Sequence, residues 1–261
     1  MAYSRWKLPD ELYHFGILGM KWGVRRFQKK DGTRTPAGKE RRAKPLPENI
    51  RKEGDDYILS KGSKAYRIAG ENESYTDHKR KYMSITDDDR EVYQELVYDM
   101  KGLIAQTEAH YGEYINETKK DIRIKNGEDV VKDLLSQYGD ESLKESLARV
   151  LTTRKDFPSK ELRDAYYEEF IRVFDKKGNI IQSEWDRDME RSRDDAARTD
   201  VADKVWDIME KHSDEVLSKY KKAGYDAIVD PYDFINNASE LPIIVLDPDD
   251  SVQNLTYLKH K

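Results

Sequence analysis

The sequence predicts an α+β domain, and three observations carry that reading. Short β-prone runs stand at both ends of the body, at Asp56 to Ile68, Tyr82 to Thr86, Ala227 to Val229 and Pro242 to Leu246. Between them, apolar residues recur at helical spacing. The chain of 261 residues is polar, with 38% charged residues, yet its 17 Tyr and 4 Trp supply the large apolar side chains that a core needs.

The first β-prone stretch, Asp56-Tyr57-Ile58-Leu59 and Lys64-Ala65-Tyr66-Arg67-Ile68, is divided by a turn containing Gly62 and reads as a hairpin. Tyr82 to Thr86 is the next strand, and Asp87-Asp88-Asp89 then offers capping carboxylates to a helix in which Val92, Leu96, Met100 and Tyr93, Val97, Ile104 recur. Helices are expected at about 128–137, 141–152, 159–174 and 184–222. In the last of these, Val201, Val205, Ile208, Met209, Val216, Leu217 and Tyr220 form an apolar stripe, and Gly224 ends it. Strands at both ends with helices between imply that the termini of the body share sheets.

Charge divides the chain in two. From Lys21 to Lys52 there are twelve Lys or Arg against Asp31, Glu40 and Glu48, a net of +9, whereas residues 1 to 20 cancel. With an overall charge of −5, residues 53 to 261 carry −14. Such a body repels phosphates and is not a nucleic-acid binder by charge. The basic stretch, with Pro36, Pro45 and Pro47 and no apolar periodicity, reads as a linker. Residues 1–52 therefore form an N-terminal segment, and residues 53–261 form the body.

Several chemistries are excluded or weakened. The absence of Cys removes disulfides, thiolate metal sites and a Cys nucleophile. The five His residues, at 14, 78, 110, 212 and 260, show no metal-ligand spacing, so no metal is expected. No phosphate-cradling glycine loop or nucleophile elbow occurs. Nor is there an apolar run long enough to span a bilayer, so no membrane partner is expected.

Ahead of the linker lies His14-Phe15-Gly16-Ile17-Leu18-Gly19-Met20-Lys21-Trp22-Gly23-Val24-Arg25-Arg26, three glycines among large apolar side chains. Glycines disfavour an isolated helix, so the peptide takes its shape from what it binds. Phe15, Leu18 and Trp22 are anchors of the kind that dominate protein interfaces, with Arg25 and Arg26 beside them. This stretch resembles a motif near the start of many proteins of phages and prophages of Gram-positive bacteria. That resemblance implies a phage structural or assembly protein as partner, and the bacterial host cytoplasm or the phage virion as location.

In the body, Tyr66-Arg67-Ile68, Tyr82-Met83-Ser84-Ile85-Thr86 and the late Glu240-Leu241-Pro242-Ile243-Ile244-Val245-Leu246 resemble the Arg-Ser-Glu class of the ADP-ribosyltransferase fold. The resemblance implies a sheet built from the two ends of the body, with a large helical insertion between them. It implies NAD as substrate, cleaved at its nicotinamide-ribose bond with transfer of ADP-ribose to a host or phage macromolecule. Glu240 would face the cationic ribose and Ser84 would position it as the second catalytic residue. Arg67 would hold the diphosphate or ribose, with Tyr66 and Thr86 completing the NAD-binding set. The three residues are then expected to converge on one open face. The other reading keeps the fold without the chemistry, as a non-catalytic virion-associated or assembly protein. The single acid in Ser239-Glu240-Leu241-Pro242, where such enzymes commonly carry two, bears on that choice.

Overall fold

The computed structural model describes residues 46–70, 82–87, 89–91, 111–157, 159–236 and 241–259. Among these, nine strands form one sheet. In chain order the first six are β1 (Ile50–Glu53), β2 (Asp56–Leu59), β3 (Lys64–Gly70), β4 (Tyr82–Ser84), β5 (Tyr111–Thr118) and β6 (Ile122–Lys125). Four helices follow: α1 (Gly127–Tyr138), α2 (Leu143–Asp156), α3 (Lys160–Glu168) and α4 (Gln182–Lys222). The chain closes with β7 (Ala227–Val229), α5 (Pro231–Asn236), β8 (Pro242–Val245), α6 (Pro248–Ser251) and β9 (Val252–Lys259).

The sheet runs β1-β2-β6-β7-β8-β4-β3-β5-β9, with β6 and β7 parallel and every other pair antiparallel. Strands from the two ends of the body therefore interleave, as the α+β reading requires. The hairpin expected over 56–68 does not form, because β2 pairs with β6 and β3 pairs with β5. Both pairings share one register, from Tyr57↔Ile124 and Leu59↔Ile122 to Lys64↔Glu117 and Gly70↔Tyr111. They are thus one long antiparallel ribbon, interrupted at residues 60–63 and 119–121.

The two halves of the ribbon extend on opposite edges. In one half β6 carries β7, in the other β3 carries β4, and both β7 and β4 pair with β8. The pairings make a closed circuit around an inner core of Leu59, Ala65, Met83, Ile122, Ile124, Ala227, Val229, Ile243 and Val245. On the outer face Tyr82, Ile228 and Ile244 pack with Val130, Val131 and Leu134 of α1 and with Val201, Val205 and Ile208 of α4. Covered on both faces, β7 and β8 read as continuous apolar runs rather than alternating ones.

Two sequence boundaries move. Residues 50–52, assigned to the N-terminal segment, belong to strand β1, and Ile50 joins the inner core. Residues 169–174 leave the expected helix and enter a small hairpin closed by the bridge Phe174↔Ile180. At its tip the Asp175 carboxylate accepts the backbone N–H groups of Lys177 and Asn179, and Gly178 takes the positive φ of 84° that the turn demands. Residues 87 and 89–91 are helical as expected after β4, and the rest of the 92–104 expectation lies outside the described residues.

A polar network ties β2 and β6 to the start of α1. The Asp56 carboxylate, itself buried, accepts from the Tyr225 hydroxyl at 2.8 Å, from Asn126 Nδ2 at 3.0 Å and from the Asn126 backbone N–H at 3.2 Å, with Lys125 Nζ at 3.1 Å. Burial by itself would raise the Asp56 pKa, but the hydrogen bonds from Tyr225, Lys125 and Asn126 outweigh it and hold it below the ordinary carboxylate value. A folded-state pKa below the unfolded one gives stability that is present above the unfolded value of 3.8 and lost as pH falls through the folded value. Urea midpoints measured from neutral pH downward should therefore fall below about pH 4, with a shallower fall in Asp56→Asn.

Candidate functional site

Adjacency in the sheet is the first test of the residues chosen from sequence, and it brings their strands together. β3, β4 and β8 are consecutive neighbours, with Tyr66 opposite Ser84 and Ser84 opposite Pro242. The early Tyr-Arg strand, the Ser strand and the strand that follows Glu240 thus lie side by side. Glu240 itself lies outside the described residues, as do Phe15, Leu18, Trp22, Arg25 and Arg26.

Side-chain direction is the second test, and here the expectation is corrected. Residues opposite each other in an antiparallel pair share a face, and neighbours along a strand alternate. Tyr66, not Arg67, is in register with Ser84. Arg67 therefore lies on the inner face with Ala65, whereas Ser84 lies on the outer face with Tyr82. Neither is on an open surface, since Arg67 is 5% and Ser84 3% exposed. Arg67 and Ser84 do not converge.

Thr86 has a local task. Its Oγ1 accepts the backbone N–H of Asp89 at 3.1 Å and its carbonyl accepts the N–H of Arg90 at 3.1 Å, which makes it the cap of the helical turn that follows β4. The turn delivers two further residues that the sequence reading left out. The Asp89 carboxylate, almost wholly buried, accepts the backbone N–H of Leu241 at 3.0 Å and so fastens the turn to the start of β8.

Arg90 is the arginine that reaches the outer face at Tyr66. Its Nε donates to Glu113 Oε1 at 2.7 Å and its Nη2 to Oε2 at 2.6 Å, a forked pair with a carboxylate that is 0% exposed. The guanidinium also lies over the Tyr66 ring, 4.3 Å from its centroid. The hydrogen bonds that Arg90 donates to Glu113 raise the Arg90 pKa further above its ordinary value. Burial, and then the negative charge of Asp87, raises the Tyr66 phenol. Tyr66, Ser84, Arg90 and Glu113 thus form a compact outer-face cluster whose single guanidinium is already matched by a buried carboxylate.

Two signals for this cluster were present in the sequence. Arg90 follows the capping Asp run directly, and Glu113 sits in Tyr-Gly-Glu-Tyr-Ile-Asn-Glu-Thr, rich in β-formers. Their partnership spans 23 positions, and in the sheet β3 lies between β4 and the strand β5 that carries Glu113, so only the sheet order reveals it.

Among the described residues no group of three or more His, Asp or Glu is arranged to hold a metal ion. His212 stacks on Tyr138 with ring centroids 4.4 Å apart. Among the same residues no helix is long and apolar enough to cross a membrane.

Residues 7–29 match a family of unknown function (DUF7211), which covers the apolar glycine-containing motif and leaves the body unmatched. No curated protein and no solved structure matches the chain.

Proposed function

We propose that this chain is a non-catalytic virion-associated or assembly protein, whose N-terminal motif engages a phage structural or assembly partner and whose body serves as a binding surface. The observation that carries this reading is the Tyr66↔Ser84 register, which assigns Arg67 and Ser84 to opposite faces of the sheet. Transfer of ADP-ribose from NAD asks for a cation and a carboxylate around one ligand in one cleft. The arginine on Ser84's own face is neutralised by Glu113, so it offers little excess charge to a diphosphate. A family match confined to residues 7–29 agrees with a transferable N-terminal element joined to a separate body. The bacterial host cytoplasm during assembly, or the virion afterwards, is the corresponding location.

A second reading is favoured by the β8-β4-β3 adjacency, which is the strand arrangement that an Arg-Ser-Glu transferase needs. In it NAD is the substrate, Ser84 and Glu240 keep their catalytic roles, and Arg90 takes the place foreseen for Arg67.

Thermal unfolding in the presence of NAD separates the two. Ligand at a hundredfold excess over its dissociation constant adds about 2.7 kcal/mol of stability and visibly raises the Tm. The assembly reading expects no rise, no release of nicotinamide, and loss of co-purification with phage particles when Phe15 and Trp22 are both replaced by Ala. A rise that disappears in Ser84→Ala would reverse the order of the two readings.

A further inference from the structure

Helix α4 has 41 residues, roughly 60 Å at 1.5 Å per residue, and it is used unevenly. Its buried residues run from Ala197 to Tyr220, and residues 182–196 bury none. On the side opposite that core, the first half presents Trp185, Met189, Ser192 and Ala196, all exposed, at spacings of four, three and four. That is the spacing of a helix-pairing seam. Trp185 and Met189 are 39% and 40% exposed, and Phe174 and Ile180 of the preceding hairpin extend the apolar surface at the same end.

The same stripe continues into charge. One helical repeat further on it presents Asp200, Asp203 and Asp207, which with Asp140, Ser142, Leu143, Lys204 and Trp206 line a groove of about 680 Å³. The hairpin tip beyond the other end of the stripe carries exposed Lys176 and Lys177.

We propose that this face of α4 is an interface between two copies of the chain, packed antiparallel about a two-fold axis near residues 190 and 191. Size and charge both select that occupant. Antiparallel pairing sets the bulky Trp185 and Met189 against the small side chains of the partner's Ala196 and the partner's Ser192, so each half of the seam fills the other. It also carries the lysine tip of one copy to the aspartate groove of the other. From the axis, Asp203 lies about 19 Å along the helix by its rise of 1.5 Å per residue. On the opposite side the helix runs about 13 Å to its first residue and two strand residues at about 3.3 Å each reach Ile180, with the lysine tip just beyond, so the tip and the groove lie on comparable reaches from the axis.

Along the middle of the seam the flanking charges nearly cancel, because Asp186 meets the partner's Arg193 on one side while Asp188 meets the partner's Asp195 on the other. The electrostatic preference therefore comes from the two ends, where two lysines meet a groove with an excess of carboxylates.

Sedimentation velocity on the full chain tests the interface. The wild type is expected to dimerise at micromolar concentration, and Trp185→Asp to sediment as a monomer with unchanged helical circular dichroism. Lys176→Glu with Lys177→Glu should raise the dissociation constant about tenfold or more, and adding Asp200→Lys and Asp203→Lys should restore it. The chain has no Cys, so one introduced thiol reports geometry cleanly. Ser192→Cys should cross-link to itself under mild oxidation, whereas Glu210→Cys, roughly 58 Å from its symmetry mate, should not. A chain that stays monomeric at every concentration, a dimer indifferent to Trp185→Asp, a failed charge exchange, or cross-linking at 210 in place of 192 each overturns the proposal.

Discussion

Replacing Arg90 by Ala is expected to destabilise the domain by about 3 kcal/mol, since it takes the forked cation away from a fully buried carboxylate. Glu113 is 0% exposed and accepts a fork of two hydrogen bonds from Arg90. Removal of one member of a buried pair leaves an uncompensated charge, which costs more than the pair contributed. The guanidinium also covers the Tyr66 ring, so the loss includes packing as well as charge. The Arg90 side chain is 27% exposed, and the water that reaches it keeps the figure at the low end of the range for such pairs. Urea unfolding measures the loss. The double variant Arg90→Met with Glu113→Gln should recover a large part of it, because it removes the stranded charge together with its partner. A single variant as stable as the wild type would show that Glu113 is neutralised by another group, and the outer-face cluster would lose its central pair.

This pair also shows how far the site could be read from sequence. The strand set was legible because Tyr66-Arg67, Met83-Ser84 and Pro242 to Val245 are short, β-prone and bounded by polar residues. The face of each residue was not. A register shift of one position exchanges the two faces of a strand, and nothing local in Tyr66-Arg67 states which of the two meets Ser84. The pairing with Ser84 on one side and Ile115 on the other fixes Tyr66 outward and Arg67 inward. Strands β5 and β9 escaped notice because Tyr111 to Thr118 and Val252 to Lys259 mix Gly, Asn and charged residues with β-formers, which blurs their alternation. The helices fared better, since α1 and α4 bury regular stripes that periodicity detects directly. The end of α3 was lost for a local reason: Glu169 and Phe170 continue the helical pattern in composition, while the Asp175 to Asn179 turn behind them demands a hairpin.

The misread hairpin leads to the other large expected effect. Gly62 at φ 81° looked like the turn of a two-stranded unit, and in the fold it marks the break where one long ribbon passes from its β2/β6 half to its β3/β5 half. Thr118 holds that break. Its Oγ1 donates to the Ser60 carbonyl at 2.9 Å and accepts the Ser63 N–H at 3.0 Å, while its backbone N–H and carbonyl serve the Ser63 carbonyl and the Gly62 N–H at 2.9 Å each. The residue is almost wholly buried, so water does not stand in for the hydroxyl. Thr118→Val keeps the shape and deletes only these side-chain bonds, and because the Ser63 N–H still reaches the Ser60 carbonyl at 3.2 Å the two lost bonds together cost about 1 to 2 kcal/mol. Thr118→Ser keeps the hydroxyl and should retain most of the stability. The two variants compared by urea unfolding isolate the hydroxyl from the methyl group. Because the two halves of the sheet extend from opposite edges of the ribbon at this break, loosening it should also speed hydrogen exchange on both sides of residues 60–63, and protection confined to one side would mean that Thr118 supports a local turn and not the junction of the closed sheet.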